Sequence, residues 1–345
     1  MNREPLIAEY HEMLRARGIE HLVRPEGTAE PEAHITTQLM ARMVAEARRS
    51  AADYGEENLM PAQIADAPVD RLAEVSGRIE QALAGLGHEL PGPVYVGEYP
   101  HHSFNARALA ARNGTLLLIN TGLHYLLVEV ALALNTRVVV ATPAEGGYTL
   151  QPTTEAMLRR RREADATMAR SLAAYVLHSD SRRGGKQPVD ATARGILSYR
   201  YAAAAETFAV AHEYGHFLAG HLLARPAGDG WLRKSHDQEF EADEIGMLLA
   251  LAATGDDGFD KNITVAGTFL FFAIDHLLNR VRDEVPELDR AAIVADHPPS
   301  AVRAATLRRT LTEIEGPDVF QLADATTPVL ASAEDAIIHS LRALL

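Results

Sequence analysis

Apolar residues recur every three or four positions along most of the chain, and this spacing predicts amphipathic helices. The pattern covers much of the first ninety residues, the arginine-rich stretch 155–177 and nearly everything after Tyr201. Within the first ninety residues it is clearest in ITTQLMARMVAEARRSAADYG and VDRLAEVSGRIEQALAGLG. Breaks rich in Gly, Pro and Asp separate the later helices, at 224–230, 254–262 and 296–300.

A different pattern follows Pro91-Gly92-Pro93. The short runs VYVGEY, TLLLIN and TRVVVAT are rich in β-branched or aliphatic residues and are bounded by Gly, Asn or Pro, which predicts strands. LHYLLVEVALAL, between the second and third runs, predicts a buried helix. Residues 143–154 and 180–190 are interpreted as loops. The whole pattern predicts a mainly helical α+β protein.

Composition narrows the class of protein. The chain has 345 residues, of which 47% are hydrophobic and 23% charged, values typical of a globular protein. The formal net charge of −14 argues against nucleic acid as a partner. Cysteine is absent, so disulfides and thiolate metal sites are excluded. Since we find neither a signal peptide nor an uninterrupted apolar run of about 20 residues, we expect a cytoplasmic protein without membrane spans.

The stretch AHEYGHFLAGH carries the candidate chemistry. His212 and His216 are four residues apart on a predicted helix, so their imidazoles project from nearly one face and can bind one zinc ion. Glu213 is displaced by about a hundred degrees, where it can accept a proton from a water at the metal. A chance HExxH match in a chain of this length has a probability of roughly a few per cent. A third ligand is therefore needed to support the site.

Two places for that ligand can be compared by spacing. The metzincin pattern requires glycine at Ala219 and histidine at Leu222, so it fails. The later segment EFEADE offers Glu239 as third ligand and Asp243, four residues on, as an acceptor for a ligand imidazole N–H. The alternative interpretation of EFEADE is a solvated acidic helix start, stabilised by the helix dipole.

These residues resemble the gluzincin metallopeptidases of the HtpX and CAAX-prenyl-protease type. HEYGHFLAGH followed by EFEAD is similar to their zinc motif, SFNARALAARNGTLLLINTGL to their active-site edge strand, and DHPPSAVRAATLRR to their C-terminal histidine-proline box. The resemblance covers roughly residues 100–310. It implies one zinc ion per chain, bound by His212, His216 and Glu239, with Glu213 as general base.

The resemblance also implies roles for residues outside the zinc motif. Asp243 would orient a ligand, while His297 and Arg303 would support the transition state or the substrate. Asn105 and Tyr214 are candidates for substrate binding. His221 is expected to face away from the metal and to make a structural hydrogen bond.

The implied architecture is a zincin-like α+β fold with a small sheet beside the cleft. Residues 1–92 would form an N-terminal helical region, and 93–345 a catalytic domain with an insertion at about 144–200. The implied function is zinc-dependent hydrolysis of peptide bonds. Two alternatives stay open: a biosynthetic zinc hydrolase acting on a small peptide-like metabolite, and a regulatory zinc protein with a protein partner. The sequence leaves the substrate and any homo-oligomer undetermined.

Overall fold

The computed structural model describes most of the chain, and the ranges are 2–23, 71–137, 141–144, 147–150, 154–178, 180–185, 193–223, 231–254, 258–283 and 297–344. Over these ranges the chain is mainly helical with a small mixed sheet, which confirms the predicted α+β class. The helix predicted in ITTQLMARMVAEARRSAADYG lies outside the described residues.

The elements follow one another as helices around an early group of strands. The α-helices are α1 (Glu4–Ala16), α2 (Arg71–Gly85), α3 (Thr121–Asn135), α4 (Glu155–His178), α5 (Ala193–Leu218), α6 (Trp231–Thr254), α7 (Gly258–Asp283), α8 (Ser300–Glu315) and α9 (Gln321–Leu344). The strands are β1 (Val94–Tyr99), β2 (Ala106–Ala111), β3 (Gly114–Asn120), β4 (Ala141–Ala144) and β5 (Gly147–Leu150). Short 3₁₀ helices span Glu20–Leu22, Ser181–Gly184, His221–Leu223 and Pro317–Phe320.

Strand β3 is the centre of the three-stranded sheet. It pairs in parallel with β1 and antiparallel with β2. Its apolar run is continuous because both of its faces are covered. Leu117 and Ile119 join the main helical core, whereas Leu116 and Leu118 pack with Tyr10 and other residues of α1.

Helix α5 runs through the main core and holds the candidate site. It packs against α3, α6 and α7, and it contacts β2 and β3. Its alanine-rich sequence favours helix. The helix ends at Leu218, and Gly220 follows with φ +71°, a left-handed conformation that glycine adopts without steric cost.

The described parts of the N-terminal region and of the expected insertion pack onto this same core. Helix α2 contacts α5, α6 and β1, and Arg3, beside α1, pairs with Glu80 of α2. Helix α4, from the expected insertion, packs against α3, α7 and α9.

The sequence prediction is confirmed for β1, β3, α3 and α4, but several boundaries are wrong. The predicted strand TRVVVAT begins on Thr136 and Arg137, which form the turn at the end of α3, and the strand observed here is Ala141–Ala144. Residues 143–154 are not simply a loop, because β4 and β5 form an antiparallel hairpin there. The break at 254–262 is also shorter than expected, since α7 begins at Gly258. Among the described residues, no helix is both long and apolar enough to cross a bilayer.

Candidate metal centre

Two helices approach each other closely enough for their backbones to touch. A Cβ atom added to Gly215 of α5 would lie 2.8 Å from the carbonyl oxygen of Ala242 in α6. A Cβ atom added to Gly246 of α6 would lie 2.8 Å from Cα of His212 in α5. Both distances are too short for a real Cβ contact, so glycine at these positions lets the helices cross at backbone distance. Gly215 and Gly246 are therefore sites of close packing between the two helices.

At this crossing three predicted ligands converge. One ligand atom from each of His212, His216 and Glu239 can be chosen so that all lie within 4.8 Å of one another. Nε2 of His212 is 3.1 Å from Nε2 of His216 and 3.5 Å from Oε2 of Glu239. Nε2 of His216 is 3.3 Å from Oε1 of Glu239.

These separations suit a single small cation. Tetrahedral zinc with bonds of about 2.0–2.1 Å places neighbouring ligand atoms about 3.3 Å apart. Oε2 of Glu239 is buried, and its nearby donors, Nδ1 of His297 at 2.9 Å and Nη2 of Arg303 at 3.4 Å, are not aligned with it for a hydrogen bond. The donor set of two imidazoles and one carboxylate also suits zinc. The residues therefore fit the metal that the sequence implies.

His212 is held by a buried group of charged residues, which we call the inner arm: His212, Asp243 and Arg303. Oδ1 of Asp243 is 3.0 Å from Nδ1 of His212. Arg303 donates from Nε and Nη2 to the two oxygens of Asp243, at 2.8 and 2.6 Å. The side chains of Arg303 and Asp243 are only 7% and 2% exposed.

In the inner arm, neighbouring charges favour the ionised forms of His212 and Asp243. Burial alone would lower the pKa of His212, but Asp243 and Glu239 raise it to about 10 in the metal-free protein. Burial would raise the pKa of Asp243, yet the hydrogen bonds and charge of Arg303 lower it. Arg303 thus keeps Asp243 anionic, with its Oδ1 3.0 Å from Nδ1 of His212.

His216 has a different support, which we call the outer arm: His216, His221 and Glu241. Nδ1 of His216 is 2.9 Å from Nδ1 of His221, in the 3₁₀ helix that follows Gly220. Nε2 of His221 is 3.1 Å from Oε2 of Glu241 in α6. His221 is therefore outside the ligand group, as expected, but its hydrogen bond runs to a ligand. The contact was missed because the prediction continued the helix beyond Leu218.

Glu239 receives further support from the segment before α8. Nδ1 of His297 is 2.9 Å from Oε2 of Glu239, and Nη2 of Arg303 is 3.4 Å from the same oxygen. Burial would raise the pKa of Glu239, but its contacts with His212, His216 and His297 lower it strongly. The side chain of His297 is 59% exposed, so it lies on the open side of the group.

The other predicted site residues differ in burial. Glu213 is buried, and within the described residues it has no hydrogen-bond or ion-pair partner. Asn105 is exposed and immediately precedes β2. Arg303 is buried behind the ligands, so it supports Asp243 and Glu239 rather than facing the open side.

Tyr214 does not face the ligand group. Its side chain is fully buried, and its hydroxyl is 2.8 Å from Oγ of Ser76 and donates to Glu80 at 2.7 Å, both in α2. Burial and the neighbouring Glu80 raise the pKa of Tyr214. This orientation corrects the suggestion that Tyr214 binds substrate.

Comparison of the chain with protein-family models, curated proteins and solved structures gave no match. The functional interpretation therefore depends on the geometry of the site.

Proposed function

We propose that the chain is a zinc-dependent peptide hydrolase with a zincin-like fold. The observation that carries the proposal is the convergence of His212, His216 and Glu239 from two helices. Glu213, the residue that follows His212 in the sequence, is also buried. A metal with three protein ligands retains an open coordination position, as in catalytic zinc sites.

The roles of the ligands follow from their surroundings. His212, His216 and Glu239 would hold the ion, and their mutual distances of 3.1–3.5 Å require little rearrangement. When bound, zinc would supply Lewis acidity, which polarises a carbonyl oxygen and makes water a better nucleophile at neutral pH.

Glu213 would transfer the proton. It adjoins a ligand in sequence but is not a member of the ligand group, which leaves its carboxylate available as a base. Glu213 would remove a proton from the attacking water as the C–O bond forms. It would then deliver that proton to the leaving nitrogen as the C–N bond breaks, so that the protons balance.

The sheet offers a surface for a peptide-like substrate. Among the described strands, β2 pairs only with β3, and β2 also contacts α5 and the 3₁₀ helix His221–Leu223. An extended peptide can add to the free edge of a sheet through backbone hydrogen bonds. Asn105 at the start of β2 and His297 on the open side of Glu239 are the side chains that we expect to contact it.

The test of this function is Glu213→Gln. We expect the variant to bind one equivalent of zinc with unchanged affinity while turnover of a fluorogenic peptide falls about 10²–10⁴-fold, the usual contribution of a general base. Glu244→Gln is the matched control, because Glu244 lies on α6 outside the ligand group and accepts a hydrogen bond from Thr310. Casein and a library of short peptides should both be offered to the wild type. Undiminished turnover by Glu213→Gln would refute the assigned chemistry.

A further inference from the structure

The two ligand histidines are supported by different kinds of residue. His212 faces a buried carboxylate, whereas His216 faces a second imidazole. His221 is almost fully covered, with a side-chain exposure of 7%, while its partner Glu241 is 58% exposed. The outer arm therefore connects the partly buried His216 to a carboxylate at the protein surface.

The chemistry of imidazole gives this connection a direction. A neutral histidine that binds a metal through Nε2 carries its proton on Nδ1. Nδ1 of His216 must then donate to Nδ1 of His221, which accepts only if its own proton is on Nε2. That proton points to Glu241, whose carboxylate can only accept. Metal binding thus selects one tautomer for both rings.

We propose that His221 and Glu241 are positioning residues that determine how tightly the site retains its metal. Glu241 fixes the tautomer of His221, and His221 holds the ring of His216 with Nε2 aimed at the other ligands. This inference rests on the proposed function, because it assumes that His212, His216 and Glu239 bind zinc.

The location of the outer arm supports this role. His221 belongs to the 3₁₀ helix that follows α5, and Glu241 lies on α6 between the ligand Glu239 and Asp243. Their contact therefore joins the two helices that contribute the ligands, at a point outside the ligand group. Loss of the contact would free the ring of His216 to rotate and would remove a negative charge near the ion.

The experiment measures zinc affinity by competition with a chromogenic chelator for the full-length protein. His221→Ala should weaken zinc binding about 10- to 100-fold, as loss of an outer-shell partner commonly does. His221→Gln should recover part of that loss, because its amide oxygen can accept from Nδ1 of His216. Glu241→Gln should weaken binding about 2- to 5-fold, as expected for one exposed charged contact. Asp237→Asn, an exposed position one turn earlier on α6, should match the wild type.

A second readout separates positioning from general stability. The absorption bands of the cobalt-substituted protein report ligand geometry, and they should change in His221→Ala and return towards the wild-type spectrum in His221→Gln. If His221→Ala and Glu241→Gln both bind zinc within twofold of the wild type, the inference is overturned while the metal centre stands. If the wild type itself binds no zinc through His212, His216 and Glu239, the proposed function fails instead.

Discussion

The inner and outer arms contact two predicted ligands of the same type, His212 and His216, through chemically different partners. The inner arm is a buried ion pair with two hydrogen bonds between Arg303 and Asp243. The outer arm ends in a solvent-exposed carboxylate and contains no cationic side chain. Both arms contact an imidazole at Nδ1. They differ in how much stability the protein would lose if the arm were disrupted.

The comparison indicates that a residue can orient a metal ligand without contributing much to the stability of the fold. A buried charge that loses its partner destabilises the protein strongly, because water cannot replace the missing contact. An exposed charge that loses its partner is solvated instead, and the cost is small. We therefore expect changes in the inner arm to affect folding and metal binding together, and changes in the outer arm to affect mainly metal binding.

The largest effect is expected for Arg303→Met. The substitution removes the buried guanidinium that donates both hydrogen bonds to Asp243 and lies 3.4 Å from Glu239, which should lower the free energy of unfolding by about 3–5 kcal/mol. Denaturant unfolding of the metal-free protein measures this loss. Zinc affinity should fall as well, because Asp243 would no longer be held against His212.

Arg308→Met is the matched control. Arg308 lies on the same helix and also makes two contacts with one carboxylate, Asp324, at 2.6 and 2.8 Å. That pair is exposed, so its loss should cost only about 0–1 kcal/mol. Equal losses of stability in the two variants would contradict the assignment of a structural role to the inner arm.

The second-largest effect is expected at the crossing of α5 and α6, the helices that contribute residues to both arms. Gly246→Ala places a methyl group 2.8 Å from the backbone of His212, so α5 and α6 must separate. We expect a loss of about 1–3 kcal/mol in unfolding free energy, as for other overpacked positions. Zinc affinity should also decrease, because the ligands are shared between these helices.

The control for this substitution is Gly77→Ala in α2, where an added Cβ meets no atom within 4 Å. Alanine favours helix over glycine, so this variant should gain about 0.5–1 kcal/mol and bind zinc normally. A Gly246→Ala protein as stable as Gly77→Ala would show that the close crossing is not required.

The sequence allowed the ligand group to be predicted because its residues repeat at helical spacing. His212 and His216 share one helix face, and Glu239 and Asp243 share another. The fold class followed from apolar periodicity in the same way. Tyr214 could not be placed by this reasoning, because its partners Ser76 and Glu80 are more than 130 residues away in sequence.

The outer arm was missed for a related reason. Helical geometry relates His221 to His216 only while the helix continues, and the chain leaves the helix after Leu218. Nothing in the spacing of His221 then indicates where its ring points. Gly220 followed directly by His221, just after the helix that carries His212 and His216, is the one sequence signal available, and by itself it does not identify Glu241 as the partner.

The smallest expected effect distinguishes the two arms by ionic strength. Glu241 is exposed, so its electrostatic contribution should weaken as the Debye length falls from about 10 Å at 0.1 M salt to about 3 Å at 1 M. The ratio of zinc affinities between the wild type and Glu241→Gln should therefore shrink from about 2- to 5-fold towards unity. The ratio between the wild type and Asp243→Asn should stay constant, because Asp243 is 2% exposed and poorly screened.

The salt used for this comparison has an anion that does not bind zinc. The affinities of the wild type and the variant are measured at the same salt concentration, so any effect of salt on free zinc cancels in their ratio. Parallel changes in both ratios would mean that the two carboxylates are screened alike. The burial that distinguishes the inner arm from the outer arm would then have no electrostatic consequence at the metal.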